Sequence, residues 1–365
     1  MAWRNTHSTN YSIHADPEAS LNQRQQSNPR FHALIYKEVK VSRVLSLVTI
    51  LLFGIAPGLL AQERQIATYS GLSGSLGPQW VSVDRRLFEK YGSKIEWVLM
   101  TGGVRGIQAL LSGSANYYTG DPVGAISVSL QGGDIIIIGT MLNRIVGSIV
   151  ARKEIREPSD LRGKKIGIAS FGGATELSVI LALKKWNIPP EAVTLIQSGI
   201  PSDRLTALMK GGLDASPLAP PHSFEAARRG LNVLIDFKDI EAFPSRVIAV
   251  RRSFLEKNRE TVKRFLKAYS EAVFQFNNDK KLGIATYAKW LKEENTKVNE
   301  ETYDVYRGLL SFPPRAVRGQ GLRIGIQMIA QRLGRGTPDI KLEQFLDESL
   351  LDELEKEGFY NLITK

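Results

Sequence analysis

Cysteine is absent from this 365-residue chain, and histidine occurs only four times. Without cysteine there can be no disulfide, no thiol nucleophile, no Cys-based zinc site and no lipid-modified N-terminal cysteine. His7, His14 and His32 precede a predicted leader, so a mature chain would keep only His222. A single histidine cannot form a His-rich metal site or an H-E-x-x-H helix. We therefore expect no metal site and no cofactor, with His222 structural or at the surface.

Common signatures of catalysis and of nucleic-acid binding are also missing. The chain contains no G-x-S-x-G elbow and no G-x-x-x-x-G-K-[ST] phosphate loop. It is basic, with 48 Lys and Arg against 37 Asp and Glu, but its basic residues are scattered among acidic ones. Because dense basic blocks with interleaved aromatic residues are missing, we expect no nucleic acid as a partner. The net charge of +11 still favours the approach of anions.

The N-terminal region has the pattern of a secretory signal. Residues 37–61 combine a positive start with an apolar run, 44–56, and a helix-breaking Pro-Gly pair before Ala61. This pattern predicts a signal peptide cleaved near Ala61 and a periplasmic or secreted protein. The apolar run is shorter than the ~20 residues of a spanning helix, but retention by an uncleaved anchor stays open. Residues 1–36 are polar without periodicity, which predicts a disordered extension and a start codon assigned too early.

The remainder reads as a globular α/β protein large enough for two lobes. Hydrophobic residues make up 43% and charged residues 23% of the chain. Short apolar runs alternate with helical patterns, as in α/β domains. The predicted strands are Gln65–Tyr69, Ile95–Met100, Asn116–Thr119, Ile135–Gly139, Ile145–Ala151, Lys165–Ala169, Val193–Gln197, Val233–Ile235 and Val247–Val250.

The pattern changes after Ser253, where long amphipathic helices predominate. A faint internal repeat relates residues 107–120 to residues 205–218, since both read as helix, small turn and strand before a proline. Two similar lobes would explain this repeat, and a chance likeness of two ordinary αβ units stays open. The chain would cross between the lobes near residues 145–151 and 245–250.

Turns of small residues follow several of the predicted strands. Ser170-Phe171-Gly172-Gly173-Ala174-Thr175 joins a strand to a helix, and Ser70–Ser75, Thr101–Gly103 and Ser198 occupy similar places. Ligands of open α/β sheets bind outside the carboxyl ends of the strands. The unpaired amides of a helix N-terminus suit an anionic or polar group, and glycine lets that group come close. These turns therefore predict one shared cleft, although each alone could be a tight turn with a helix cap.

Several side chains near these turns have two readings each. Arg105, in the first turn of a helix where the dipole disfavours a cation, either grips a ligand carboxylate or sulfonate or forms a salt bridge. Asp121 either bonds a ligand amine or hydroxyl or caps a helix. Phe171 and Trp80 either stack on a ligand or pack in the core. Arg246 is either a hinge salt bridge or a cleft residue.

Three segments resemble a known family. "PSDLRGKKIGIASFGGATELSVILALKKWNI", "LFEKYGSKIEWVLMTGGVRGIQALLSG" and "VKRFLKAYSEAV" are similar to parts of ABC-transporter substrate-binding proteins of the nitrate/sulfonate/taurine and thiamine-pyrimidine-precursor-like group. The similarity covers roughly residues 64–359. It implies the type II periplasmic-binding-protein fold, two α/β lobes joined by hinge strands with a helical C-terminal part. Lobe 1 would comprise 64–150 and 247–365, and lobe 2 would comprise 151–246.

The resemblance also implies a function. The protein would capture a small anionic or heteroaromatic molecule and deliver it, as a monomer, to the membrane permease of an ABC importer. An enzyme for a thiamine pyrimidine precursor on the same fold, or a ligand sensor without transport, are the alternatives. Pro217 within an expected strand and Arg246 at the second crossing depart from the family pattern. The ligand-binding residues expected from the turns and the resemblance are Ser70, Ser73, Thr101, Gly102, Gly103, Arg105, Asp121, Ser170, Phe171, Gly172, Gly173, Thr175 and Ser198.

Overall fold

A computed structural model describes residues 64–240, 243–336 and 339–365. The predicted disordered extension, the signal peptide with its cleavage site near Ala61, and three of the four histidines lie outside these residues. Among the described residues, no helix has the length and apolar character needed to cross a membrane.

Ten strands form two five-stranded sheets, and nine of the ten match predicted strands. The first sheet has the order β2-β1-β3-β10-β4, and the second has the order β7-β6-β8-β5-β9. The strands are β1 (Arg64–Tyr69), β2 (Lys94–Leu99), β3 (Tyr117–Gly120), β4 (Ile136–Leu142), β5 (Ser148–Ala151), β6 (Lys165–Ile168), β7 (Thr194–Gln197), β8 (Ala215–Leu218), β9 (Asn232–Asp236) and β10 (Arg246–Val250).

Fourteen α-helices are found in the described residues. They are α1 (Gly77–Asp84), α2 (Leu87–Lys90), α3 (Gly103–Leu111), α4 (Val123–Leu130), α5 (Ala174–Lys185), α6 (Pro201–Met209), α7 (His222–Arg228), α8 (Arg252–Lys257), α9 (Arg259–Asn278), α10 (Lys280–Leu291), α11 (Thr296–Arg307), α12 (Gln320–Arg332), α13 (Ser349–Lys356) and α14 (Phe359–Ile363). Short 3-10 turns lie at Gly74–Leu76, Pro158–Leu161, Pro190–Ala192, Phe237–Asp239 and Leu342–Gln344.

The two sheets share one connectivity. In the first sheet β1 is parallel to β2 and β3, and β10 runs antiparallel between β3 and β4. In the second sheet β6 is parallel to β7 and β8, and β5 runs antiparallel between β8 and β9. The faint sequence repeat falls on α3–β3 and α6–β8, which hold corresponding places in the two sheets.

The chain passes between the sheets twice. It leaves the first sheet after Leu142 and enters the second at Ser148, and it returns between Asp236 and Arg246. The chain therefore passes from one sheet to the other a few residues away from the predicted lobe boundaries at 150 and 246. Those boundaries stay a prediction.

The tenth strand, β8, is the one that only the internal repeat and the family resemblance indicated, and it contains Pro217. Proline has no N–H to give to a ladder, so it disfavours a central strand. The structure tolerates it because β8 pairs with β6 only at Ile166 and Ala215, while its main partner is the antiparallel β5. The side chain of Arg204 donates a hydrogen bond to the Pro217 carbonyl, as described below.

The C-terminal helices belong to the first sheet. One cluster of buried residues joins Ile136 and Ile248 of that sheet to Phe265 and Tyr269 of α9 and Leu351 of α13. The amphipathic face that predicts α9 is the face buried here. The second sheet has a separate core around Ile149, Ile166 and Ile168.

Candidate functional site

A cavity of about 160 Å³ lies between the two sheets. Its walls follow the carboxyl ends of β1, β2 and β3 in the first sheet and of β6, β7 and β8 in the second. Both crossings contribute to it, with Ile145 and Val146 from the first and Phe237, Ser245 and Arg246 from the second. The turns predicted to share one cleft therefore do meet, because parallel strands place their carboxyl ends at one edge of each sheet.

The wall from the first sheet consists of small polar residues. Ser70 is buried, and its Oγ lies 3.3 Å from the Tyr118 hydroxyl. Ser73 and Ser75 pair through their hydroxyls at 2.8 Å. A Cβ on Gly103 would lie 2.2 Å from Asp121 Oδ2, so only glycine fits between α3 and that carboxylate. This wall offers hydroxyl and amide groups at close range.

The wall from the second sheet begins at the glycine-rich turn. Thr175 Oγ1 accepts a hydrogen bond from the Ala169 N–H at 2.9 Å, which fixes the turn between β6 and α5. Ser170 is 8% exposed, and its Oγ has no hydrogen-bond partner among the described residues. It lines the cavity. A buried hydroxyl without a partner is costly, and this one belongs to a residue that lines the cavity.

One amide of this turn is already bonded within the protein. The Gly172 N–H donates to Glu176 Oε2 at 2.5 Å, and Glu176 Oε1 pairs with Arg332 of α12. Glu176 thus ties the turn of the second sheet to a helix packed on the first. The Gly172 amide is therefore used within the chain, and anion binding by the amides at the start of α5 stays a prediction.

Asp121 follows β3 and lines the same cavity. Its Oδ1 accepts a hydrogen bond from the Val123 N–H at 3.2 Å, so it does cap α4. Burial raises the pKa of Asp121, against the opposing effects of the Val123 N–H, Arg246, the Tyr118 hydroxyl and the Ala174 N–H at the start of α5. Asp121 is therefore both a helix cap and a cavity group.

Arg246 is 4% exposed and lines the cavity, so the cleft reading of this residue agrees with the structure. Its Nε donates to Ser75 Oγ at 2.8 Å, its Nη2 to the Ser70 carbonyl at 3.0 Å and its Nη1 to the Thr119 carbonyl at 3.4 Å. Among the described residues it forms no ion pair. Neutral groups hold this guanidinium, and its charge is left without a contacting carboxylate.

Arg204 of α6 is a second buried arginine in the cavity lining, and sequence reasoning missed it. It is 3% exposed, and its Nε donates to Ser216 Oγ at 3.1 Å while its Nη2 donates to the Pro217 carbonyl at 3.2 Å. Its Nη1 donates to the Gly199 carbonyl. Burial lowers the pKa of Arg204 to about 10, so it stays protonated at neutral pH. The available signal was an arginine in the first turn of a helix, where the dipole disfavours it.

The predicted ligand-binding residues divide into two groups. Those that line the cavity are Ser70, Ser73, Thr101, Gly102, Gly103, Asp121, Ser170, Gly173 and Thr175. Those outside its lining are Arg105, which is exposed, Phe171, which is 50% exposed, Gly172, and Ser198, whose hydroxyl donates to the Ile196 carbonyl at 3.0 Å. Trp80 is buried in the core and stacks on Trp290, so the packing reading describes it. A role in binding stays a prediction for every residue of this set.

The rest of the lining is largely apolar. Tyr306 adds a neutral phenol, since burial raises its pKa to about 12. Among the described residues no group of three His, Asp or Glu side chains could hold a metal ion. The apolar lining comprises Leu72, Leu142, Ile145, Val146, Ile200, Pro201, Pro217, Leu218, Ala219 and Phe237.

Direct contacts join the two sheets around the cavity. The Gly74 N–H donates to the Pro220 carbonyl at 3.1 Å, and Arg228 pairs with Glu301. Leu177 of α5 packs in a cluster with Ile326 of α12. The two halves are therefore in direct contact beside the cavity.

Comparisons with known proteins agree with this geometry. A family model described as NMT1/THI5 like matches residues 78–279, more than half of the chain. A taurine-binding periplasmic protein of Escherichia coli is 26% identical over 215 residues, 58% of this chain and 64% of that protein, so the match spans less than two thirds of that relative. A putative aliphatic sulfonates-binding protein of Bacillus subtilis is also 26% identical, over 63% of this chain and 72% of that protein.

Solved structures show the same fold. The periplasmic aliphatic sulphonate binding protein SsuA from Escherichia coli superposes with a TM-score of 0.63 at 22% identity, covering 79% of this chain and 98% of that one. The predicted α/β fold of the periplasmic-binding-protein type is therefore confirmed, as is the resemblance to substrate-binding proteins.

Proposed function

The chain belongs to the NMT1/THI5-like family, and we propose that it is the solute-binding protein of an ABC importer. It would hold a small organic molecule between its two sheets and present it to a membrane permease. The relatives named above are binding proteins for taurine and aliphatic sulfonates. We propose that the chain takes part in transport of the solute, rather than only sensing it.

One observation carries the proposal. Turns from both sheets line the cavity, and both segments that cross between the sheets border it. A ligand held there contacts both halves at once, so its binding energy favours the closed arrangement over an open one. A permease that recognises the closed form would then respond to loaded protein.

We propose binding without turnover. The chain has no cysteine, and the cavity lining in the described part of the chain contains no histidine. The ionisable side chains of that lining are Arg204, Arg246, Asp121 and the neutral Tyr306. Arginines held by carbonyl groups suit recognition of an anion rather than proton transfer. A periplasmic or secreted location belongs to the same proposal.

The cavity limits the size of the solute. By the measure that allots roughly 10–15 Å³ to each water, about 160 Å³ holds on the order of ten water molecules. A solute with a similar number of non-hydrogen atoms would fill it.

The test is to identify the solute and to look for turnover. Protein purified from its source under mild conditions is examined by native mass spectrometry, and a panel of sulfonates, carboxylates and pyrimidines is titrated calorimetrically. We expect one bound molecule per chain, recovered chemically unchanged. Folded protein that binds no solute contradicts the proposal, and recovery of a converted product indicates an enzyme.

A further inference from the structure

One backbone hydrogen bond joins the two halves at the wall of the cavity. The Gly74 N–H, which follows β1, donates to the Pro220 carbonyl, which follows β8, at 3.1 Å. The neighbours of these two residues, Ser73, Ser75 and Ala219, line the cavity. Backbone amides and carbonyls are strong hydrogen-bonding groups, so this bond holds the halves together at the cavity itself. It has to break when the halves separate.

The turn that carries this amide is fixed from behind by two C-terminal helices. The Tyr287 hydroxyl of α10 donates to the Gly74 carbonyl at 2.5 Å. Tyr287 is fully buried, so water competes little for this bond. A Cβ on Gly74 would collide with Thr302 and with the ring of Tyr306, both on α11. The Gly74 carbonyl is therefore bonded within the first half while its N–H reaches the second.

A second contact on the same side of the molecule is weaker. Arg228 of α7, the helix that begins soon after Pro220, pairs with Glu301 of α11. Both side chains are half-exposed, and ion pairs at such positions contribute little. Gly74 and Pro220 are both buried, so the backbone bond between them is the stronger of the two contacts.

We propose that the turn Ser73–Ser75 is a latch that holds the two halves together over the cavity, and that Tyr287 is the positioning residue that directs its amide at Pro220. Tyr287 lies outside the cavity lining, so it acts through Gly74. A helix remote from the solute would thus set how often the cavity opens and how fast a solute leaves. The effect on a solute rests on the proposed function, whereas the latch belongs to the solute-free chain.

The first test measures amide exchange in the solute-free protein by NMR. Tyr287→Phe removes the hydroxyl but keeps the ring, which packs on Phe276. We expect exchange at the Gly74 amide to become about tenfold faster, in line with the loss of one buried hydrogen bond. Exchange at the Ser70 amide, which donates to the Thr119 carbonyl within the first half, should not change. Unchanged exchange at Gly74, or equal acceleration at Ser70, overturns the proposal.

Tyr303→Phe is the matched control. Tyr303 is also fully buried, and its hydroxyl donates to the Phe276 carbonyl at 2.9 Å and to the Asn277 carbonyl at 3.2 Å, both in α9. We expect Gly74 exchange in this variant to stay within about twofold of wild type, because its lost bonds lie within the C-terminal helices. Equal acceleration in both variants would indicate a general loosening of these helices and overturns the positioning role. Circular dichroism establishes that each variant is folded.

The second test measures access to the cavity. Because the chain has no cysteine, Ser170→Cys places a single thiol at a cavity residue whose hydroxyl is buried. Its rate of alkylation by iodoacetamide in the solute-free protein reports how often the cavity opens. We expect Tyr287→Phe to raise this rate about tenfold and Tyr303→Phe to leave it within about twofold. An alkylation rate that stays unchanged while Gly74 exchange accelerates shows that the latch does not control access, and overturns the proposal.

A third measurement needs no tyrosine variant. In the Ser170→Cys protein, Gly74 exchange and thiol alkylation are followed at low urea concentrations, where partial openings respond in proportion to the surface they expose. One opening that breaks the latch and exposes the thiol should give the same urea dependence for both rates. Different dependences overturn the proposal. These tests use no solute, so their failure leaves solute capture standing, and a failure to find a solute leaves the latch standing.

Discussion

At the scale of single residues, Gly102 determines how closely the two sheets approach. It has φ +79° and ψ 145°, a conformation that is almost confined to glycine. A Cβ at this position would lie 2.7 Å from Ser170 Oγ across the cavity. The residue is therefore constrained both by its own backbone and by the opposite wall.

We expect Gly102→Ala to weaken solute binding about tenfold, because the added methyl group prevents full closure. Backbone strain should also cost about 1–3 kcal/mol of stability. Gly132→Ala is the matched control, since Gly132 has φ +78° but no atom within 4 Å of the added Cβ. Calorimetric titration and denaturant unfolding of both variants check this. Equal affinities in the two variants would show that closure tolerates the methyl group.

His222 is expected to affect the pH dependence of stability. Burial lowers its pKa, with Glu225 raising it and Arg204 lowering it, and its Nδ1 has no partner among the described residues. The unfolded chain therefore binds this proton more tightly than the folded one. Below an unfolded pKa of about 6.5, stability is lost as the pH falls towards the folded pKa.

We expect the free energy of unfolding of the wild type to rise with pH more steeply than that of His222→Gln below about pH 6.5, the unfolded pKa of histidine. The difference in slope cannot exceed about 1.4 kcal/mol per pH unit for one proton. Urea unfolding of both proteins at several pH values measures it. Parallel curves would mean that His222 titrates normally in the folded state.

At the scale of elements, the turn before α5 is joined to α12 through Glu176. Its two carboxylate oxygens serve Gly172 and Arg332, which are attached to different sheets. The Glu176 side chain is 5% exposed, whereas Arg332 is half-exposed. This pair lies beside the cavity and links closure to the position of α12.

We expect Glu176→Gln to speed amide exchange at Gly172 and to weaken solute binding about tenfold, because the closed form loses a partly buried ion pair. Glu301→Gln is the control, since its pair with Arg228 also joins the sheets but is half-exposed at both ends. Such a pair contributes about 0–1 kcal/mol. Hydrogen exchange and calorimetry compare the Glu176→Gln and Glu301→Gln variants. Equal losses of solute affinity in both variants would mean that the Glu176 ion pair has no special role in closure.

Prediction from sequence succeeded for elements whose signal is local. The alternating apolar runs indicated nine strands, and the amphipathic pattern indicated α9, since a sheet or helix must bury its apolar face wherever it packs. The strand β8 was indicated only by the internal repeat and the resemblance, because Pro217 argues against a central strand. Its main partner is the antiparallel β5, which is distant in the chain.

At the scale of the whole molecule, two similar sheets face each other across one cavity and are joined by two crossings. Such a pair can close and open as two bodies. Because the chain contains no cysteine, spin labels attach only to cysteines introduced at chosen positions. Distances between two such labels would therefore report opening and closing.

We expect labels at Leu111→Cys and Met209→Cys, both exposed and at the ends of α3 and α6, to show one narrow distance with bound solute. Without solute, a population at longer distances should appear, since nothing then bridges the two walls. Labels at Leu111→Cys and Leu362→Cys, both attached to the first sheet, are the control and should not change. Double electron–electron resonance measures the distances between the labels. Identical distance distributions with and without solute would exclude ligand-driven closure.

The sequence alone determined the α/β class, the positions of most strands along the chain and the small-residue turns at strand ends. Periodicity and turn chemistry are local properties. The tertiary structure decided which residues of those turns line the cavity. It placed Arg105 outside the cavity, satisfied the Gly172 amide with Glu176, and brought Arg204 and Arg246 to opposite walls. These outcomes depend on how two sheets face each other, and the pairing of residues distant in the chain leaves no trace in local sequence.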